Sequence, residues 1–397
     1  WRKDDRVWLE IAPERLGVPF LLSVNVAGSV GERGLWASQM GPSWLAEFRR
    51  VGNNVQLVAL NTTYRAEGGD AALQRAVREA FSDSLLAYGA VASAPHPERK
   101  SVLVDAAFLL ADLPGYSTAL ERAFRLAYSV DRGNSQIERA RTDARLTTLN
   151  LKLHYATPRI PVPPPSPPPG ATLPSPPTTL PDPRSLFVAT VVNFVALPAQ
   201  PMRPRAADPR LGHFSVSFTD YGDDRAPNPR VHWVKRWRIE KADPGAAVSP
   251  PREPVVFWID RNVPARYRDA VRAGVLEWNK AFAAIGVAGA LEVREQRDDA
   301  DFDTLDGAHA SIRWLVGASF ARGPSHADPR SGEIVDADIV IGDGFARGAR
   351  RVAVEDLGGR SEQRLAALAA AWQGGDAECI YAADAADELA AALALLA

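Results

Sequence analysis

The chain has 397 residues, 46% of them hydrophobic and 24% charged, with a formal net charge of -2, the balance of a globular protein of two or three domains. So small a charge gives no basic field for a phosphate backbone, which excludes nucleic acid as a partner, and no run reaches the ~18 apolar residues of a membrane-spanning helix. The single cysteine, Cys379, excludes an internal disulfide and a cysteine-rich zinc site.

Residues 1–157 read as a β-rich N-terminal domain. Val7–Ile11 alternates, Phe20–Val24 resumes a strand after a Gly17-Val18-Pro19 turn, and Val55–Leu60 follows Gly52-Asn53-Asn54. Residues 71–88 read as helix and Ser101–Phe108 as strand; short strands between turns predict a sandwich or a strongly bent sheet. Residues 158–184 contain RIPVPPPSPPPGATLPSPPTTLPDP, too poor in donors and apolar groups to pack, and read as a Pro-rich linker or disordered insert. Residues 185–248 read as a β-rich connecting region: Leu186–Val195 and Phe214–Phe218 are strands, and Trp233–Lys241 is a half-exposed strand with arginine stems laid across indoles.

The third block, 249–397, opens with the strand Val255–Ile259. Asn262 can cap a helix with Pro264 in its first turn; Tyr267, Val271, Val275, Trp278, Phe282 and Ile285 recur at helical spacing, and Gly286 sits where a left-handed cap belongs. Strands Ala290–Glu295 and Ser311–Val316 follow. The stretch GPSHADPRSGEIVDADIVI, 323–341, runs from turn residues into Ile334–Ile341, which mixes β-branched residues with Asp336 and Asp338 and reads as an edge strand able to accept an extended peptide. A chain that opens on Trp1 and closes on an unterminated apolar helical run reads as cut at both ends.

The residues that could carry chemistry are scattered. Asp298-Asp299-Ala300-Asp301-Phe302-Asp303 crowds four carboxylates as a calcium loop would, but Thr304 and Ala310 stand where that pattern needs glycine and glutamate. Gly342-Asp343-Gly344-Phe345-Ala346-Arg347-Gly348 misses the dinucleotide fingerprint by one residue and reads as a flexible loop. None of His96, His154, His213, His232, His309 and His326 has a partner three or four residues away, and no H-E-x-x-H, G-x-S-x-G or P-loop is present. An acid-dependent hydrolase using Asp336 and Asp338 is a weaker reading, because paired carboxylates on an edge strand serve to discourage aggregation.

The order of segments, among them SVNVAGSVG, NNVQLVALNTTY, PMRPRAADPRLGHFS, VKRWRIEKADP, EPVVFWIDRNVPARYRDAVRAGVLEWNKAFAAIG, SIRWLVG and GPSHADPRSGEIVDADIVI, resembles large bacterial zinc-dependent metalloproteases with a β-rich N-terminal region before a metzincin-like catalytic domain. The resemblance implies an α+β fold: a β-rich domain plus the first part of a mixed sheet with one long helix, in the order strand, long helix, strand, strand, edge strand. It implies that Val335, Ala337, Asp338, Ile339, Val340 and Ile341 form the rim that binds extended peptide. The zinc ligands and the general base would follow on an H-E-x-x-H helix that these 397 residues lack, with Cys379 and the AADAADELAAALALLA segment leading to it. It further implies peptide hydrolysis by zinc-activated water in the full-length protein, an inactive chain as given, a peptide or protein substrate and an exported location. The alternative is a non-catalytic β-rich binding or scaffold protein that docks partners on an exposed edge strand.

Overall fold

The computed structural model describes residues 1–351 apart from 163, 164, 167, 169, 171 and 172, so Cys379 and the C-terminal apolar run lie outside the described residues. Ten strands come first: β1 (Arg2–Lys3), β2 (Arg6–Ile11), β3 (Phe20–Gly28), β4 (Ser43–Val51), β5 (Asn54–Ala59), β6 (Tyr64–Arg65), β7 (Ser84–Ala90), β8 (Val102–Asp105), β9 (Ser129–Thr142) and β10 (Leu146–Ala156). Two helices interrupt them, α1 (Ala71–Ala80) and α2 (Tyr116–Phe124). After the Pro-rich segment come β11 (Ser185–Ala196), β12 (Ser215–Asp220), β13 (Arg230–Val234) and β14 (Val255–Ile259). The long helix α3 (Ala265–Ala284) leads to β15 (Leu291–Glu295) and β16 (Ser311–Leu315). The described chain closes with β17 (Ala321–Arg322), β18 (Ser325–Ala327), β19 (Ile334–Gly342) and α4 (Asp343–Arg351).

Two compact units result. The first holds 1–238 together with 301–310 and 324–338; the second holds 239–300, 311–323 and the residues from 339 on. In the first unit seven strands form one curled, half-barrel sheet in the order β7-β5-β4-β3-β11-β10-β9. The bent-sheet expectation therefore holds, but a boundary at 157/185 does not: β11 lies between β3 and β10, paired residue by residue from Leu146↔Val195 to Ala156↔Ser185. A Pro-rich excursion between two hydrogen-bonded strands is an insertion within a domain.

Alternation explains the two faces of this sheet. Leu22, Val24, Phe194, Val192, Leu149, Leu151 and Leu153 point to one side and build the main core with Phe108, Leu109, Leu120 and Phe124. Ser23, Asn25, Asn193, Thr148 and Asn150 point to the other. Asn25 and Asn193 are 0% exposed, because 301–310 and 324–338 cover this polar face within the same unit.

Residues 71–88 are not one helix. Asp70 caps α1 by accepting from Leu73 N–H at 2.8 Å, the helix stops at Ala80, and Ser84–Ala90 pairs with β5. Likewise β8 ends at Asp105, whose side chain takes the Ala107 N–H and turns the chain into a 3₁₀ turn, Ala106–Leu109. The strand expected over 233–241 ends at Val234; beyond it Arg236 exchanges backbone hydrogen bonds with Gly332 and Ile334.

In the second unit β15 and β16 flank β14 in parallel, with α3 as the crossover between β14 and β15, and the full strand order is β15-β14-β16-β19-β17. Pro264 itself, and not Asn262, occupies the helix N-cap, while Gly286 takes the expected left-handed turn at φ +82°. Tyr267 is the buried anchor of α3, stacked on Trp314 at 4.9 Å. Trp278 and Ile285, members of the same helically spaced series, are 66% and 71% exposed.

Candidate functional site

Residues 324–338 form a hairpin with β18 and β19 as its arms. Asp328 and Glu333 close the loop through Asp328 N–H to Glu333 O at 2.8 Å, while Asp328 is fully buried with its carboxylate on Arg330 N–H and guanidinium. Gly332 adopts φ +77°, and a Cβ there would stand 2.5 Å from Val234 O, so only glycine fits this corner. Glu333 receives both arms of the Arg238 guanidinium, at 2.7 and 2.6 Å, which ties the loop to the chain after β13.

The edge-strand expectation for Ile334–Ile341 is therefore corrected. β19 lies inside its sheet, with β16 on one side and β17 on the other, and β18 pairs along the remaining length. Val340 and Ile341 pair with Arg322 and Ala321, Ala337 pairs with Ser325, and the Asp338 N–H points at Met40 Sδ, 3.2 Å away. Val335 packs on Leu21, Leu146 and Val195. Asp338 and Val340 are 1% and 2% exposed, and Ile339 is half-buried. The physical reason is the chain just before it: 321–327 folds back and occupies the backbone edge that a substrate would have used. β17, not β19, is the terminal strand of that sheet among the described residues.

His326 and Asp336 face each other in the β18–β19 ladder. His326 Nε2 donates to Gly41 O at 3.0 Å, and Nδ1 has no partner among the described residues. Burial, with Lys235 as a nearby like charge, pushes its pKa down to about 4. Asp336 goes the other way. Its burial, and the neighbouring Asp338 and Asp306 carboxylates, push it well above the usual carboxylate range, and neither oxygen makes a hydrogen bond of full geometry. Around them Asp306 accepts from Arg141 at 3.0 Å and meets His309 Nδ1 at 2.5 Å, while Asn25 and Asn193 both donate to Leu305 O. Burial disfavours the charged form of each member of the pair. Such a buried arrangement fixes a hairpin and makes it sensitive to pH.

A second polar chain crosses β9, β10 and β11 at the foot of the Pro-rich insertion. Ser185 Oγ lies 2.8 Å from His154 Nε2, and His154 Nδ1 lies 3.0 Å from Asp131 Oδ2. The connectivity is that of a nucleophile, base and orienting carboxylate. Its setting differs from a hydrolase site: the serine sits on a regular strand, its own N–H donates to Asp182 O at 3.2 Å, and Phe187 tilts over the imidazole at 5.0 Å. That N–H, engaged by Asp182 O, is not aimed at a developing oxyanion, and the triad reads as a cross-strand tie.

Among the described residues no group of three or more His, Cys, Asp or Glu side chains can hold a metal ion. Four of the histidines are tied within the chain: His154, His232, His309 and His326 bond to Asp131, Ser217, Asp306 and Gly41 respectively. The calcium-like carboxylates also part company: Asp299 pairs with Arg297, Asp301 with Arg139, and Asp303 accepts from Asn150 at 3.1 Å. Gly342–Gly348 is not a flexible loop, since α4 begins at Asp343, which accepts from Gly317 N–H and Arg347. Gly342 and Gly344 serve close packing, a Cβ on them falling 2.3 and 2.7 Å from Ala318 O, whereas Gly348 meets open space.

Residues 38–242, just over half of the chain, match DUF5117, a domain of unknown function. The chain belongs to the DUF5117 family. The DUF5117 match takes in β4 to β13, hence most of the curled sheet and the Ser185–His154–Asp131 chain, and leaves the β18–β19 hairpin outside it. No curated protein and no solved structure shows a significant match to this DUF5117 chain. No described helix is long and apolar enough to cross a membrane.

Proposed function

We propose that this DUF5117 protein is the scaffold and substrate-holding part of a zinc-dependent peptidase, with its metal ligands supplied by residues other than these 397. The observation that supports this reading is the order of the second unit: strand β14, long helix α3, strand β15, strand β16, then β17, terminal in its sheet among the described residues. That is the strand, helix, strand, strand, edge-strand order of the metzincin-like resemblance, with the edge moved from β19 to β17. In this reading an extended peptide adds to β17 beside Ala321, which is exposed. β19 is the strand that holds β17 in place.

The test uses a gene product that carries the H-E-x-x-H helix this reading requires. Ala321→Pro and Arg322→Pro each remove one backbone donor, and along a strand only one of the two points away from β19. The outward one lowers kcat/KM for peptide hydrolysis at least about tenfold with the melting temperature held; the inward one lowers stability instead. Unchanged kcat/KM in both variants removes β17 from substrate binding. The other reading, a non-catalytic β-rich binding protein, draws on a different edge, that of β7.

A further inference from the structure

The two outermost strands of the curled sheet, β7 and β9, are at opposite ends of its strand order, yet both line one cavity of about 690 Å³. Leu85–Tyr88 form one wall and Ser129, Val130 and Arg132 the other, with Phe108 of the 3₁₀ turn and Leu110 and Ala111 just after it between them. The turn is fastened to both edges. On the β7 side Phe108 packs so close that a Cβ on Gly89 would lie 2.9 Å from its ring. On the β9 side Arg132 donates to Leu110 O at 2.8 Å and to Ala107 O at 3.1 Å. The gap therefore has a fixed floor and two strand edges for sides.

We propose that this groove binds an extended, uncharged, apolar-alternating segment of a partner polypeptide, added as a further strand on β7. Three features select that occupant. First, among the described residues neither β7 nor β9 pairs with a strand on its groove side, and a bulge at Leu86 leaves that residue outside the β5 ladder, so backbone donors and acceptors face the groove. Second, the edges are defended differently. β9, SVDRGNSQIERART, is studded with charges that oppose strand addition, whereas β7, SLLAYGA, has none and leaves Leu85 53% and Tyr88 60% exposed. Third, the two charged lining groups are already satisfied within the chain: Asp112 accepts from Tyr116 N–H at 2.6 Å and Tyr155 hydroxyl at 2.8 Å, and Arg132 serves the 3₁₀ carbonyls. Nothing is left to pair with a charged ligand. Leu85–Tyr88 gives a docking length of about 13 Å at ~3.3 Å per residue.

This inference stands apart from the peptidase reading, because its test measures binding with neither metal nor turnover. The probe is an acetylated, amidated, fluorescein-labelled heptapeptide of alternating threonine and valine, titrated with the 397-residue chain and followed by anisotropy. Saturable one-to-one binding is expected, weakened about tenfold or more in Leu85→Lys and in Tyr88→Lys. The same loss is expected for a peptide N-methylated at alternate residues, which cannot complete a ladder. Both substituted positions are exposed, and melting curves verify their folds. Absence of saturable binding, binding that ignores both substitutions, or a wild-type dimer that Leu85→Lys dissolves, overturns the proposal.

Discussion

His326 and Asp336 make opposite demands on pH, and the sign of each follows from its surroundings. In the fold His326 takes a proton only near pH 4, whereas in an unfolded chain it does so near 6.5. Between those values the unfolded state binds more protons, so this histidine's contribution is present above pH 6.5 and is lost on acidification toward 4, by about 3 kcal/mol. Asp336 holds its proton more tightly in the fold than when unfolded. Its contribution is present below the ordinary carboxylate pKa and is lost as pH rises through its raised value. The two partly cancel in the wild type. Urea unfolding of Asp336→Asn therefore shows stability rising steeply from pH 4 to 6.5, and His326→Gln, which keeps a donor for Gly41 O, shows no such rise. If the Asn variant is flat across that window, His326 is not neutral and buried as described.

At the scale of elements, the β18–β19 hairpin depends on one backbone conformation. Gly332→Ala forces a Cβ to φ +77° and to 2.5 Å from Val234 O, a cost of at least about 1–3 kcal/mol by chemical denaturation. A loss below about 0.5 kcal/mol there contradicts the hairpin geometry. The long helix gives the converse test. Tyr267 is 2% exposed and accepts from Arg350 at 2.6 Å, while Trp278 is 66% exposed. Tyr267→Ala should cost about 3–5 kcal/mol and Trp278→Gln less than about 0.5 kcal/mol. Helical spacing placed both residues in the same apolar series; only the packing of α3 on its sheet separates them.

At the scale of the molecule, what was legible in the sequence was local. Val255–Ile259, the α3 span, Leu291–Glu295 and Ser311–Leu315 came from periodicity, and Gly286 from the chemistry of a left-handed cap. The polar face of the seven-stranded sheet was not legible, because Ser23, Asn25 and Asn193 alternate as a solvent-facing row would. They are buried by segments that arrive from far along the chain, Leu305 O meeting Asn25 across 280 residues. The candidate site was misplaced by one strand for a related reason. Ile334–Ile341 has the composition of an edge, but a two-residue strand, Ala321–Arg322, and a three-residue one, Ser325–Ala327, are too short to signal in the sequence and take that edge. β7 was lost into α1 because SLLAYG continues the apolar count of the helix without a glycine or proline to divide them.

The peptidase reading makes its sharpest demand on zinc. No H-E-x-x-H occurs in the sequence, so on this reading the 397-residue chain should neither retain zinc through dialysis nor cleave an unfolded protein substrate. A gene product that carries the H-E-x-x-H helix this reading requires should do both, and lose cleavage to a chelator. Zinc-dependent cleavage by the 397-residue chain alone, or a longer product that neither binds zinc nor cleaves, would contradict the account.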